Sequence, residues 1–230
     1  MSTRAHKHRR GGSRRQRGAA LLVLLTMLML GVAALAINAF RGGGAREAQA
    51  LQSLGQAREA LLGYAALHGR LPRPSASPSA GIENPAPCAS EQQCTGFLPW
   101  ATLGLGPTYA RGKPLRYSVT PAFSAPDARL NSALPSKTVA TRRGDRLLAV
   151  RGRAPCSPVD ECVPAVLIAS GKYQGTRGAD QAANDGATSH FIQRPLSDLE
   201  QGPGGAFDDL VAWVPYDVLI KRSSAAGSIR

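Results

Sequence analysis

Between positions 19 and 40 the chain carries no charged residue, and only Thr26 and Asn38 are clearly polar. At about 1.5 Å per residue a helix of this length reaches roughly 33 Å, against about 30 Å for the hydrocarbon core of a bilayer. The pattern predicts a membrane-spanning helix over 19–40. It exceeds the roughly 7–15 apolar residues of a cleavable export signal. Ala34-Leu35-Ala36 still offers a small-x-small cleavage triplet, so a removed signal stands as an alternative, as does a plain uncleaved anchor. Over 45–69 the pattern changes. Ala48, Leu51, Leu54, Leu61, Ala65 and His68 recur at helical spacing and Leu62 and Tyr64 widen the stripe, while Arg46, Gln49, Gln52, Gln56 and Glu59 mostly fall on other faces. This predicts an amphipathic helix over 41–69. Arg41-Gly42-Gly43-Gly44 would be a flexible or partly unwound joint at its start, since glycine costs a helix about 1 kcal/mol. Gly69 would cap its end, and Pro72 and Pro74 bar continuation. His68 reads as a capping or core residue.

Beyond 70 the periodicity shortens. Residues 70–96 are rich in proline, serine and alanine and predict an irregular loop. The stretch 113–120 alternates, with Leu115, Tyr117 and Val119 on one side. Further strand candidates are 145–152, 163–170, 189–194 and 207–215, and 97–105 is another apolar run. Long polar, glycine-rich stretches such as 171–190 read as loops. One long helix followed by a run of strands predicts an α+β fold in which the helix packs on a small antiparallel sheet. Residues 70–230 suffice for one modest domain. Trp100 and Trp213 are expected in its core.

Charge refines the picture at one end. Of the 28 basic residues in this 230-residue chain, seven (Arg4, Lys7, Arg9, Arg10, Arg14, Arg15 and Arg17) lie within 1–18, where there is no carboxylate. They supply more than half of the net +13. Cations beside a first apolar span stay on the cytoplasmic side, so the rest of the chain is expected to be exported. Ser13-Arg14-Arg15 begins like a twin-arginine signal, but Arg17 and Gly18 stand where such signals turn apolar. The four cysteines form two pairs with five intervening residues each, Cys88/Cys94 and Cys156/Cys162. Four cysteines allow three connectivities. Local pairing is the most economical, and each bridge would close a polar loop containing a carboxylate. Zinc is the rival, but its ligand pairs usually enclose about two to four residues, and neither loop holds a histidine. Disulfides require an oxidising compartment, which agrees with export.

The stretch 15–30, a basic peptide ending in Gly18, then Ala19, then an apolar run, resembles the leader of type IV prepilins and type II secretion pseudopilins. Segments 57–74, 98–105 and 113–119 are similar to pilin-like proteins of the same architecture. The resemblance implies that 1–18 is a leader, that a prepilin peptidase cuts after Gly18, and that Ala19 becomes the N-methylated terminus. It further implies storage in inner-membrane lipid with the C-terminal domain periplasmic. Assembly would then follow, through an inner-membrane platform, into a pilus or pseudopilus of similar subunits. Family members mostly carry a glutamate at the fifth mature position, which meets the terminal amine of a neighbouring subunit. Here that position is Val23. A subunit without the carboxylate can offer its own amine but cannot receive another, as expected of a minor, end-of-fibre subunit.

Candidate chemistry is sparse, and no enzyme activity is expected. Ser170-Gly171-Lys172 lacks the context of a nucleophile, and 175–180 is not a phosphate cradle. His190 has no ligand pattern around it. No resident cofactor is expected; Asp208 and Asp209 with Asp217 are the only calcium candidates, with strand-end capping and solvation the alternative. Arg142, Arg143, Arg146, Arg151 and Arg153 gather in one hairpin candidate. It reads by default as a solvated cationic face. A membrane-anchored periplasmic protein binding DNA or another anionic partner is the alternative function, although no aromatic residue interleaves these arginines for base stacking.

Overall fold

The computed structural model describes residues 13–171 and 178–228, with backbone alone for 13–20 and 34–43. The expected leader therefore lies mostly outside the described residues. The chain divides into two compact units, Met1–Ala45 and Arg46–Arg230. Helix α1 is Ser13–His68. The glycines at 42–44, expected to unwind the chain, have helical backbone, although the boundary between the units falls directly after them.

Within the second unit, α1 presents Ala50, Leu54, Ala57, Leu61, Leu62 and Ala65 to the core, each at most 1% exposed. Leu54, Leu61, Leu62, Tyr64 and Ala65 are buried as expected, and the stripe departs from the expected one mainly at its start. Ala50 and Ala57 replace Ala48 and Leu51 on the buried stripe, and Leu51 is 52% exposed. Small side chains let the helix axis approach the sheet closely, while Leu54 and Leu61 fill the space between; each is worth about 1.5–3 kcal/mol of burial. The helix stops as expected. Gly69 takes φ 67° and its N–H bonds to the Ala65 carbonyl at 2.9 Å, while the exposed His68 ring stacks on Tyr64 with centroids 4.0 Å apart.

The fold is α+β. Strands β1 (Thr95–Phe97), β4 (Arg116–Val119), β7 (Ala165–Ala169) and β9 (Leu210–Val214) form an antiparallel sheet in the order β1-β4-β7-β9. Strands β2 (Tyr109–Ala110) and β3 (Lys113–Pro114) make a two-stranded hairpin. Strands β5 (Thr138–Arg143), β6 (Arg146–Arg151) and β8 (His190–Ile192) make a third sheet in the order β6-β5-β8. The four-stranded sheet is antiparallel as expected, and the pairing β5/β8 in the third sheet is parallel. Helices α2 (Pro121–Ser124), α3 (Ala179–Asp185) and α4 (Tyr216–Ala225) complete the described elements. Helix α3 lies in a stretch expected to be loop.

Strand periodicity explains the layering. All five residues of β7 are buried. Ala165, Leu167 and Ala169 join the α1 stripe together with Leu115, Tyr117, Val119 and Val214. Val166 and Ile168 face the other way, onto Val139, Val163, Phe191 and Val211. The four-stranded sheet is thus covered on one face by α1 and on the other by the β5/β8 layer. Trp100 and Trp213 are half-buried and pack against the edges of the two cores: Trp100 reaches the Pro78 carbonyl at 3.2 Å, and Trp213 lies beneath the Arg151 guanidinium. The C-terminus returns to the end of α1, with the Ser228 hydroxyl 3.4 Å from the Ala65 carbonyl.

Candidate functional site

Three arrangements carry chemistry. The first is the apolar part of α1. Leu21, Leu22, Val23, Leu24, Leu25, Met27, Leu28, Met29, Leu30 and Val32 are 47–70% exposed, on every face of the helix. Val23, the position expected to lack a glutamate, is among them at 58%. A helix that is apolar all round belongs in lipid or inside a bundle of like helices. Among the described residues no helix is long and apolar enough to cross a membrane. The expected span 19–40 includes positions 19, 20 and 34–40, whose side chains lie outside the described residues. Gly18 and Ala19 have helical backbone within α1, and their side-chain surroundings are likewise outside them.

The second arrangement is built on the cysteines, which pair locally. Cys88–Cys94 has Cα atoms 5.2 Å apart and Cys156–Cys162 6.1 Å apart. The first loop and the residue that follows the second are both tied to Ser136 and Lys137. Glu91, inside the first loop, accepts hydrogen bonds from the Ser136 hydroxyl at 2.5 Å and from the Lys137 ammonium. Val163, directly after the second loop, exchanges both backbone hydrogen bonds with Lys137, at 2.9 and 3.2 Å. The second loop is shaped by Asp160, whose carboxylate accepts from the Ser157 N–H and hydroxyl. Gly152 allows the close approach: at φ 65° a Cβ there would stand 2.5 Å from the Cys162 Sγ. Lys137 is fully buried, and that burial pulls its pKa below the usual lysine value, outweighing the attraction of Glu91.

A cleft of about 680 Å³ opens beside the second loop, between the Leu134–Pro135 turn, Pro158, Val159 and the start of α4. Asp160, Glu161, Asp217 and Arg151 stand on its walls.

The third arrangement is a buried ionic cluster. Asp180, on α3, is 2% exposed. Arg142 approaches it with Nε at 2.8 Å and Nη2 at 2.7 Å, and Arg194 with Nε at 2.8 Å. Arg142 is thereby removed from the expected solvated face, whereas Arg143, Arg146, Arg151 and Arg153 remain exposed. Gly204, at φ 80°, leaves room for the carboxylate, since a Cβ there would lie 2.1 Å from its Oδ2.

The calcium candidates separate. Asp208 and Asp209 precede β9 and Asp217 follows it, at opposite ends of a five-residue strand. Asp209 is buried and accepts from the Gly171 N–H at 2.8 Å and the Asn184 amide at 3.2 Å; burial raises its pKa. Asp208 accepts from Gln181 at 3.0 Å. Among the described residues no three His, Cys, Asp or Glu side chains converge on one point. His190 Nδ1 lies 2.8 Å from the Thr138 hydroxyl, a structural contact.

A carboxylate that sequence reasoning passed over is Glu83. It pins the loop after α1, accepting from Arg70 at 2.5 and 3.0 Å, from the Arg73 N–H at 2.8 Å and from the Tyr64 hydroxyl at 3.2 Å. Burial alone would raise its pKa, but the bonds from Arg70 and the Arg73 N–H hold it below the ordinary 4.5. Since the folded state binds this proton less readily, the stabilisation is complete above about pH 4.5 and is lost as pH falls through the folded pKa. Glu83→Gln is expected to flatten the acid limb of the stability–pH curve, measured by urea titration at successive pH values. An unchanged acid limb would show that Glu83 does not set it.

Comparison with known protein families, curated proteins and solved structures finds no match to this chain.

Proposed function

We propose that this chain is a minor, end-type pilin or pseudopilin subunit, made as an inner-membrane precursor with its globular unit in the periplasm. The observation that carries the reading is the run 21–33 of α1, apolar on every face and uncovered, directly behind the basic peptide that ends in Gly18. Lipid satisfies such a helix before assembly, and neighbouring apolar helices satisfy it afterwards. Gly31, whose Cβ position meets nothing within 4 Å, offers a point of close helix approach. An amphipathic helix packed on a small sheet and two disulfides suit an exported head held at the end of such a handle. In this reading prepilin peptidase is the processing partner, other subunits are the assembly partners, and an inner-membrane platform drives polymerisation. Val23 leaves the subunit unable to receive a neighbour's terminal amine, which favours an end position.

The test is the terminus of the protein isolated from a native-like host. Mass spectrometry is expected to give Ala19 bearing one methyl group, and Gly18→Leu is expected to accumulate full-length precursor. A terminus at Ile37, an intact Met1 in the mature protein, or undisturbed processing of the variant would each overturn the proposal.

A further inference from the structure

Strand β6 is the outer strand of the sheet β6-β5-β8; its first four residues, Arg146, Leu147, Leu148 and Ala149, are exposed on both faces, while Val150 packs against the core. Leu147 and Leu148 point to opposite sides of a strand, yet they are 51% and 43% exposed. Among the described residues no backbone group of β6 bonds to main chain on the side away from β5. Edges of this kind are usually blunted by charges within the strand, by proline or by a β-bulge; β6 bulges at Val150, where its register with β5 shifts, which leaves Arg146 to Ala149 as the regular edge. Here the charges sit at the ends, Arg146 and Arg151, and the centre is Leu-Leu-Ala-Val. Arg143 and Arg153 extend the exposed positive charge beyond both ends. At one end the edge leads into the 680 Å³ cleft, whose wall includes Arg151 together with Leu134, Pro158 and the 91%-exposed Val159.

We infer that β6 is a docking edge for an extended segment of another protein, one whose apolar residues are bracketed by carboxylates and which pairs with β6 as an added strand. The main-chain edge at Arg146 to Ala149 supplies the hydrogen bonds, Leu147 and Leu148 supply apolar contact on both faces, and the exposed Arg143, Arg146 and Arg153 select acidic flanks, Arg151 being paired with Glu161. A second copy of this chain is disfavoured in the register that sets the Leu-Leu-Ala-Val centre against itself. Antiparallel self-pairing about Leu148 and Ala149 sets Arg146 of each copy opposite Arg151 of the other, and like charges directly opposite are destabilising. The inference stands on the globular unit alone and does not depend on how α1 is used.

The test uses the full-length protein in detergent and a fluorescent synthetic peptide of alternating valine and threonine bracketed by glutamates. Anisotropy is expected to rise on mixing and to fall with added salt. The same peptide N-methylated at alternate residues loses the main-chain bonds and is expected to bind at least about tenfold more weakly, as is the peptide bracketed by lysines. The Arg146→Glu/Arg153→Glu double variant, altered only at exposed positions, is expected to weaken binding of the glutamate peptide about tenfold and to favour the lysine peptide. No binding of the glutamate peptide in the millimolar range, indifference to N-methylation, or equal binding of both bracketed peptides overturns the inference. So does concentration-dependent dimerisation abolished by the double variant, or tighter binding of a short single-stranded oligonucleotide than of the peptide.

Discussion

Replacing Asp180 by alanine is expected to lower the unfolding free energy of the globular unit by about 3–5 kcal/mol, the usual cost of removing one partner from a buried ion pair. The reason is what remains behind. Arg142 and Arg194 both converge on this carboxylate, and Arg194 also lies against the Phe207 ring, 4.8 Å from its centroid. Their side chains are only 16% and 10% exposed. Without Asp180, two guanidinium groups face each other with little water, and the other carboxylate that acts on Arg142, Asp145, is exposed to solvent. Arg142 belongs to β5 and Arg194 follows β8, so the repulsion acts across the parallel pair that holds this sheet together. Asp180→Asn keeps the shape and tests charge alone; it is expected to lose most of the same amount. Urea unfolding monitored by tryptophan fluorescence reads the effect, since Trp213 lies at this layer. A loss below about 1 kcal/mol in both variants would mean that solvent already screens the cluster.

An asymmetry is expected at the other buried pair. Glu91→Ala is expected to cost about 3–5 kcal/mol, because it strands the Lys137 ammonium in a fully buried position. Lys137→Met removes the same ion pair and is expected to be neutral or stabilising, since a thioether of similar length fills the space and Glu91 can turn to water. The pH dependence carries a sign. Burial lowers the pKa of Lys137 in the folded state, so the unfolded chain holds this proton more tightly, and the penalty shrinks as pH rises through the folded value towards 10.5. The Glu91→Ala deficit is therefore expected to be largest near neutrality and smaller in alkali. Equal losses for the Glu91 and Lys137 variants would contradict this account.

Much of the layering was legible in the chain. The run 163–170 is apolar at consecutive positions, as a strand covered on both faces must be, and β7 is that strand. Leu115, Tyr117 and Val119 alternate with more polar neighbours and do face one core. The two cysteine pairs close the local loops that their spacing favoured. What escaped has a physical explanation in each case. Helix α3 buries Asp180, Gln181 and Asn184; its inward face is polar, so hydrophobic periodicity is blind to it. Helix α4 places Val218, Leu219 and Ile220 in sequence, which resembles a strand, and its start at Pro215 has no side-chain cap to announce it. The β5/β8 pair joins residues about fifty positions apart, and nothing local encodes that partnership. The buried stripe of α1 was read correctly at Leu54, Leu61, Leu62, Tyr64 and Ala65 and missed at Ala50 and Ala57, because alanines are weak in any hydrophobicity pattern.

The sequence distance between α1 and its covering strands has a consequence for biosynthesis. The helix leaves the ribosome early, whereas β7 and β9, which hide Leu54 and Leu61, end only at Ala169 and Val214. At about 5–20 residues per second the interval is on the order of ten seconds. During that time an oily stripe emerges with no strand to cover it, so nascent chains need a membrane surface or a chaperone to keep them apart until the last third has been translated.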